Sequence, residues 1–246
     1  MLHYTYSYIR IVKEYKMQKV TVIIPVFNEK DTILQILEKV EKSKFAGLEK
    51  EIIITDDFSI DGTRDILNSI KNKYKILFHE KNKGKGAAIR TAIKEAKGDF
   101  IVIQDADLEY LPDDYNNLLP LLINNDADVV YGSRFLNKNN SKNFIFKNKI
   151  ANLFLTFLTN ILYGCKITDM ETCYKAFKRE ILQSITIKSN RFDFEPEITA
   201  KILKKKAKLK ELPISYNGRG HEDGKKINWK DGICAVWTLI KYRFTD

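Results

Sequence analysis

Three acids stand within five positions, Asp105, Asp107 and Glu109, at the end of an apolar run in "IVIQDADLEY" (Ile101 to Tyr110). Neighbouring carboxylates repel one another, so their company asks for a positive charge beside them. Asp105 and Asp107 are two apart, and in extended chain such residues point to the same side. Two hard oxygen ligands side by side suit Mg²⁺ or Mn²⁺, which is commonly held by one or two carboxylates together with substrate phosphates. A helix cap or a turn would account for one of these acids. It does not account for the pair together with the polar residues that close other apolar runs. Asn28 and Glu29 close one, and Asp56 and Asp57 close another in "TDDFSIDGT".

Those runs are the elements that must position the acids. "VTVIIP" (Val20 to Pro25), "EIIIT" (Glu51 to Thr55), "KILFH" (Lys75 to His79), "FIVIQ" (Phe100 to Gln104) and "DVVYG" (Asp128 to Gly132) read as short buried strands. Between them Ile33, Ile36, Leu37 and Val40 share a helical face that Asp31 is placed to cap. A second helical pattern begins over Asp65 to Ile70, and Lys85 to Lys97 is an Ala-rich helix. Apolar strands alternating with helices predict an α/β fold, a mostly parallel sheet flanked by helices. Ligands in such sheets bind beyond the carboxyl ends of the strands, which is where these acids fall. The second half adds a helical stripe (Ile150, Leu153, Phe154, Phe157, Leu158, Ile161, Leu162) and strands at Tyr174 to Phe177 and Lys208 to Tyr216. A helix over Glu197 to Lys206 carries Lys201 and Lys204 to Lys206, read as one solvated face. Asn137 to Lys149 reads as a mobile loop.

A hydrophobic content of 44% supports a substantial core. The net charge of +10 suits phosphorylated substrates or an anionic membrane face. Nucleic acid is not the expected partner, because such a module has no need of ordered acids at three strand ends. Three cysteines without a C-x-x-C point to a reducing, cytoplasmic setting. The three histidines show no zinc-ligand spacing. Residues 1–18, tyrosine-rich and charged, lack the apolar centre of a signal peptide and are expected to form a flexible arm, with Met17 an alternative start. No run reaches the ~20 apolar residues of a membrane span.

Eight segments then align in order with a known family. "PVFNE", "TDDFSIDGT", "NKGKGAAIRTA", "QDADLEYLPDD", "VVYGSRF", "TDMETCYKAFKRE", "FDFEPEI" and "YNGRGHEDGKKINWKDG" resemble family 2 glycosyltransferases. The branch is the one with dolichyl-phosphate mannose and glucose synthases and their polyprenyl-phosphate relatives. The resemblance runs from about Lys19 to Arg243. It implies a GT-A fold over 19–246, with a nucleotide-binding half to about 135 and an acceptor-side half after it. It implies inverting transfer of a hexose from a nucleoside diphosphate sugar, of the GDP-mannose or UDP-glucose type, to a polyprenyl phosphate.

Residue by residue, the resemblance places Pro25, Phe27, Asn28 and Glu29 around the nucleoside, with Asp56 and Asp57 near base and ribose. Lys85, Asp105, Ala106 and Asp107 would meet the diphosphate, and Asp105, Asp107 and Glu109 the metal. Phe58 departs from the family's Gly, and Glu109 from the Gln of mannose synthases. Gly84 and Gly86 either open the backbone to a diphosphate or only cap and pack a helix. Arg134 and Arg219, with Lys225 and Lys226, are candidate phosphate clamps. Asp169 and Glu195 face sugar or acceptor, or else serve as cap and ion-pair partner.

A soluble glycan, lipid or protein hydroxyl as acceptor would need one of these acids as base. A sugar nucleotidyltransferase is the other reading, but "PVFNEKDT" lacks its Gly-rich signature. Finally, Trp229, Ile233, Val236, Trp237, Ile240 and Phe244 share a helical stripe with Lys225, Lys226, Lys230, Lys241 and Arg243 around it. That pattern predicts a helix lying in a headgroup layer and a peripheral membrane enzyme. The Ile150 to Leu162 stripe is either a second such surface or core, and core is the expectation.

Overall fold

The computed structural model describes residues 18–142, 146–218 and 229–245. The N-terminal arm (1–17), Arg219, Lys225 and Lys226 lie outside them. Val20 to Ile24 are all fully buried, so the first strand is covered on both faces. This strand, β1 (Lys19–Val26), pairs in parallel with β2 (Glu49–Asp56) and β4 (Phe100–Ile103), and β2 pairs in parallel with β3 (Lys75–Phe78). Farther along, β5 (Val129–Ser133) runs parallel to β7 (Leu209–Pro213). Between the two parallel groups sits β6 (Lys175–Lys178), antiparallel to both β4 and β5. The order is β3-β2-β1-β4-β6-β5-β7.

Helices cover both faces. On one side, α1 (Ile33–Lys42) and α4 (Tyr115–Ile123) bury Ile36, Val40, Leu118 and Leu122 against Val22 and Ile24. On the other, α3 (Lys85–Glu95) and α7 (Phe194–Lys204) bury Ile89, Ala92, Ile198 and Ile202 against Ile23 and Ile101. Each such Ile, Val or Leu side chain contributes about 1.5–3 kcal/mol. Two short helices, α2 (Thr63–Ser69) and α6 (Arg179–Gln183), complete these layers. A third, smaller cluster joins α5 (Phe146–Tyr163) to α8 (Trp229–Phe244) through Leu155, Ile167, Met170, Ala235 and Leu239.

Four expectations are corrected. Asp31 does not cap α1; Thr32 is the N-cap, and its hydroxyl donates instead to Glu29 Oε2 at 2.7 Å. The helix expected from Glu197 starts at Phe194, one turn earlier, and Lys201 is not on its solvated face: it is buried, with its Nζ donating to Glu197 Oε1 and the Thr186 carbonyl. The loop at 137–149 contains a turn of 3₁₀ helix, Lys138–Lys142, and the start of α5. There the Asn140 amide is buried and tied to the carbonyls of Arg134 and Ile214.

The fourth correction concerns α5, whose stripe faces outward. Ile150, Leu153, Phe154, Phe157 and Ile161 are exposed, Phe157 at 62%. The helix buries its polar face because Asn152 and Thr156 find hydrogen-bond partners in the 169–170 turn. On α8, Ile233, Trp237 (64%), Ile240 and Phe244 are exposed as expected. Val236 instead turns inward to pack on the α5–α8 cluster.

Candidate active site

The register brings four strand ends to one edge. Val26 lies beside Asp56, the His79 amide donates to the Asp56 carbonyl, and that of Gln104 to the Ile23 carbonyl. At the end of β1, Asn28 adopts φ 55 and clamps two loops together. Its amide donates to Ser59 Oγ and its side-chain oxygen accepts from the Ile60 amide, each at 2.9 Å. The Glu29 amide donates to Thr63 Oγ1. Pro25 and Phe27 are half-buried beside them.

Both acids that end β2 are engaged by protein donors. Asp56, fully buried, accepts from Arg64 Nε at 2.9 Å. Asp57 accepts from the amides of Lys83 (2.8 Å) and Gly84 (2.7 Å) and from His79 Nδ1 (2.7 Å). Asp57 thus shapes the loop that leads into α3. Phe58 takes φ 67, the backbone region that favours the family's Gly. The Arg64 guanidinium lies between the rings of Phe58 and Phe78, 5.3 and 5.1 Å from their centroids, and offsets part of that strain.

Gly84 and Gly86 are packing glycines. A Cβ on Gly84 would stand 2.3 Å from the Asn190 carbonyl oxygen, and one on Gly86 2.7 Å from that of Ser189. They let the first turn of α3 lie against residues 189–191. That contact carries Lys85 to the strand ends, where its Nζ reaches Asp105 Oδ1 at 2.7 Å and Oδ2 at 2.9 Å. Burial works against the Lys85 charge, but Asp105, Cys173 and Glu195 outweigh it and raise its pKa.

Asp107 Oδ1 accepts from the Glu109 amide at 3.1 Å. Ala106 is buried, and this loop rests on stacked rings, Tyr110 on Tyr174 and Tyr174 on Tyr115. Among the described residues no three acidic, histidine or cysteine side chains gather as a metal site. The donor chemistry of the Asp105 and Asp107 carboxylates suits a hard divalent cation completed by a diphosphate.

In the second half of the chain two buried ion pairs stand out. Arg134, at the end of β5, holds Asp169 through Nε to Oδ2 and Nη2 to Oδ1, each at 2.7 Å. Asp169 outweighs the desolvation of the guanidinium and raises its pKa well above the ordinary value. Asn152 Nδ2 on α5 donates to Asp169 Oδ1 (2.8 Å), and Glu211 accepts the Asp169 amide. Glu195 is paired with the fully buried Lys175. Lys175, Arg64, His79, Asn152 and Glu211 were not read as site residues from the sequence. Only Lys175 left a signal, a charge inside the apolar run "CYKAF".

The family model of glycosyl transferase family 2 matches residues 21–186. The chain belongs to glycosyl transferase family 2. It is a glycosyltransferase with the GT-A architecture. Among curated members, the chain is 32% identical to a UDP-N-acetylglucosamine–dolichyl-phosphate N-acetylglucosaminyltransferase of Methanococcus voltae, over 89% of this chain and 93% of that one. It is 29% identical to a dolichol-phosphate mannosyltransferase of Pyrococcus furiosus, over 84% of this chain and 59% of that one. Among solved structures it resembles glucosyl-3-phosphoglycerate synthase of Mycobacterium tuberculosis in complex with Mn²⁺, UDP-glucose and phosphoglyceric acid. The TM-score is 0.69 at 18% identity, covering 92% of this chain and 80% of that one. Identity that low compares folds and leaves the acceptor of this family 2 member to its own residues.

Proposed function

We propose that the chain transfers a hexose, with inversion, from a nucleoside diphosphate sugar to a polyprenyl phosphate at a lipid surface. The observation that carries this reading is the state of the two acids expected as bases. Asp169 is held by the buried Arg134 through both oxygens, and Glu195 is paired with the buried Lys175 through one of its own. A hydroxyl acceptor needs a positioned base. A phosphate monoester, with a second pKa of about 6, is already mostly dianionic at pH 7 and needs a cation instead. Arg134 supplies one that Asp169 keeps charged and oriented against the cost of burial.

Mg²⁺ or Mn²⁺ held by Asp105 and Asp107 would offset charge building on the departing diphosphate. Lys85 adds a fixed positive charge at the same place. Asn28, Asp56 and Asp57 build the loops that receive the nucleoside. Arg219 and Lys225, carried here by their motif, would complete the phosphate clamp.

The surface supports the lipid. No helix of the described residues is long and apolar enough to cross a membrane. The outward faces of α5 and α8 nevertheless carry Phe154, Phe157, Ile161, Ile233, Trp237 and Phe244. Basic residues flank them, Lys241 and Arg243 on α8 and Lys204 where its Nζ meets the Thr245 carbonyl. Each basic residue near an anionic surface adds roughly 1 kcal/mol. The test is a panel of labelled sugar nucleotides with Mg²⁺ or Mn²⁺, polyprenyl phosphate as acceptor, and organic extraction. Label in the organic phase, dependent on the lipid phosphate, supports the reading. Label passed only to water-soluble hydroxyl acceptors overturns it.

A further inference from the structure

We propose that Glu171 binds a hydroxyl of the hexose on the donor and thereby takes part in selecting the sugar. The assignment rests on the chain using a nucleoside diphosphate sugar. Glu171 lies in the turn between α5 and β6, two residues past Asp169. Its Oε1 is buried and has no hydrogen-bond partner. A buried polar atom left without a partner costs about 1–3 kcal/mol, more when charged, and such an atom in a native fold asks for an explanation.

Its neighbours are committed. Asp169 accepts from Arg134 and Asn152, and Glu211 from the amides of Thr168 and Asp169. Glu195 gives one oxygen to Lys175. Its other oxygen, Oε1, also lacks a hydrogen bond, with Lys85 Nζ 3.9 Å away. Glu195 as a whole is only 3% exposed. Two buried carboxyl oxygens of one cluster therefore wait for donors.

The charges around them narrow the ligand. Glu171 lies in the field of Glu195, Lys175, Arg134 and Asp169, and burial followed by Glu195 pushes its carboxyl up to about 7. A phosphate would be repelled by this pair of acids. A further cation would duplicate Lys85, Lys175 and Arg134. An uncharged group with several O–H donors satisfies both oxygens, and the hexose is such a group. Its position agrees: in an in-line transfer the sugar lies between the leaving diphosphate and the attacking phosphate. Those are the ligands assigned to Lys85 with Asp105 on one side and to Arg134 on the other.

Isothermal titration separates the parts of the donor. GDP-mannose, UDP-glucose, UDP-N-acetylglucosamine, GDP and UDP are titrated, with Mg²⁺ present, into the full chain and into Glu171→Ala and Glu171→Gln. For the preferred sugar nucleotide, Glu171→Ala should raise Kd about tenfold, or about 1.4 kcal/mol. Glu171→Gln, which keeps an acceptor oxygen, should lose less, and the matching free diphosphate should bind as in wild type. Equal weakening of both ligands would make Glu171 a structural residue and overturn the assignment. Unchanged donor affinity overturns it too; with a collapsed kcat, that result would make Glu171 a base. A wild-type chain that binds none of the five nucleotides defeats the donor reading itself.

Discussion

At the residue scale, Asp107 accepts from the Glu109 amide. Asp56 and Asp57 build loops, Asp105 is paired with Lys85, and Asp169 holds Arg134. Asp107→Asn keeps the shape and removes one negative charge from the proposed metal pair. It should abolish transfer and weaken donor binding to the level wild type shows in EDTA, as read by titration with and without chelator. Binding indifferent to both the substitution and the chelator would remove the cation from this site. Glu171 carries a pH signature. Its carboxyl rises from 4.5 to about 7 on folding, so between those values the folded chain binds more protons than the unfolded one. Stability must then fall as pH rises through that window. Glu171→Gln should melt like wild type at pH 4 and above it at pH 8. A gap that is the same at both pH values would show the carboxyl titrating normally.

At the element scale, α5 has two faces with different work. The inner face uses Asn152 to steady Asp169 and through it Arg134. Asn152→Leu leaves one Asp169 oxygen with a donor fewer. Turnover should fall about tenfold with nucleotide affinity intact, in line with roughly 1–2 kcal/mol for a lost charge-assisted hydrogen bond. Steady-state kinetics beside nucleotide titration reads the split. The outer face holds exposed Phe157, and its neighbour α8 exposed Trp237. The double substitution Phe157→Asp, Trp237→Asp should release the chain from anionic liposomes in co-sedimentation without lowering its melting temperature. A chain that ignores liposomes before any substitution would leave the face to some other partner.

At the scale of the whole molecule, α8 is part of the fold as well as of the surface. Ala235, Leu239 and Tyr242 are buried, and Tyr163 donates to the Leu239 carbonyl at 2.7 Å. Leu239→Ala should therefore cost about 2–5 kcal/mol, seen as an earlier unfolding midpoint in urea. Removal of the whole helix should expose the α5–α8 cluster and destabilise the second half of the chain.

Much of this could be read along the chain. Every strand of the first half, the parallel layers and the acids at the strand ends follow from near neighbours. An apolar run of four to eight residues bounded by polar turns has few other ways to be buried, and the parallel sheet then sets where its loops converge. Tertiary structure alone decided the rest. Periodicity showed that α5 has an apolar stripe but not what would cover it. The polar face went inward because Asp169 and Met170, from a different turn, offered hydrogen bonds to Asn152 and Thr156. Arg134 and Asp169 are 35 positions apart, Lys85 and Asp105 are 20 apart, and none of those partnerships leaves a pattern in local sequence. Glu171 stood unremarked for the same reason. Its significance lies in a missing partner, and a missing partner is defined only once every other donor in the neighbourhood has found its place.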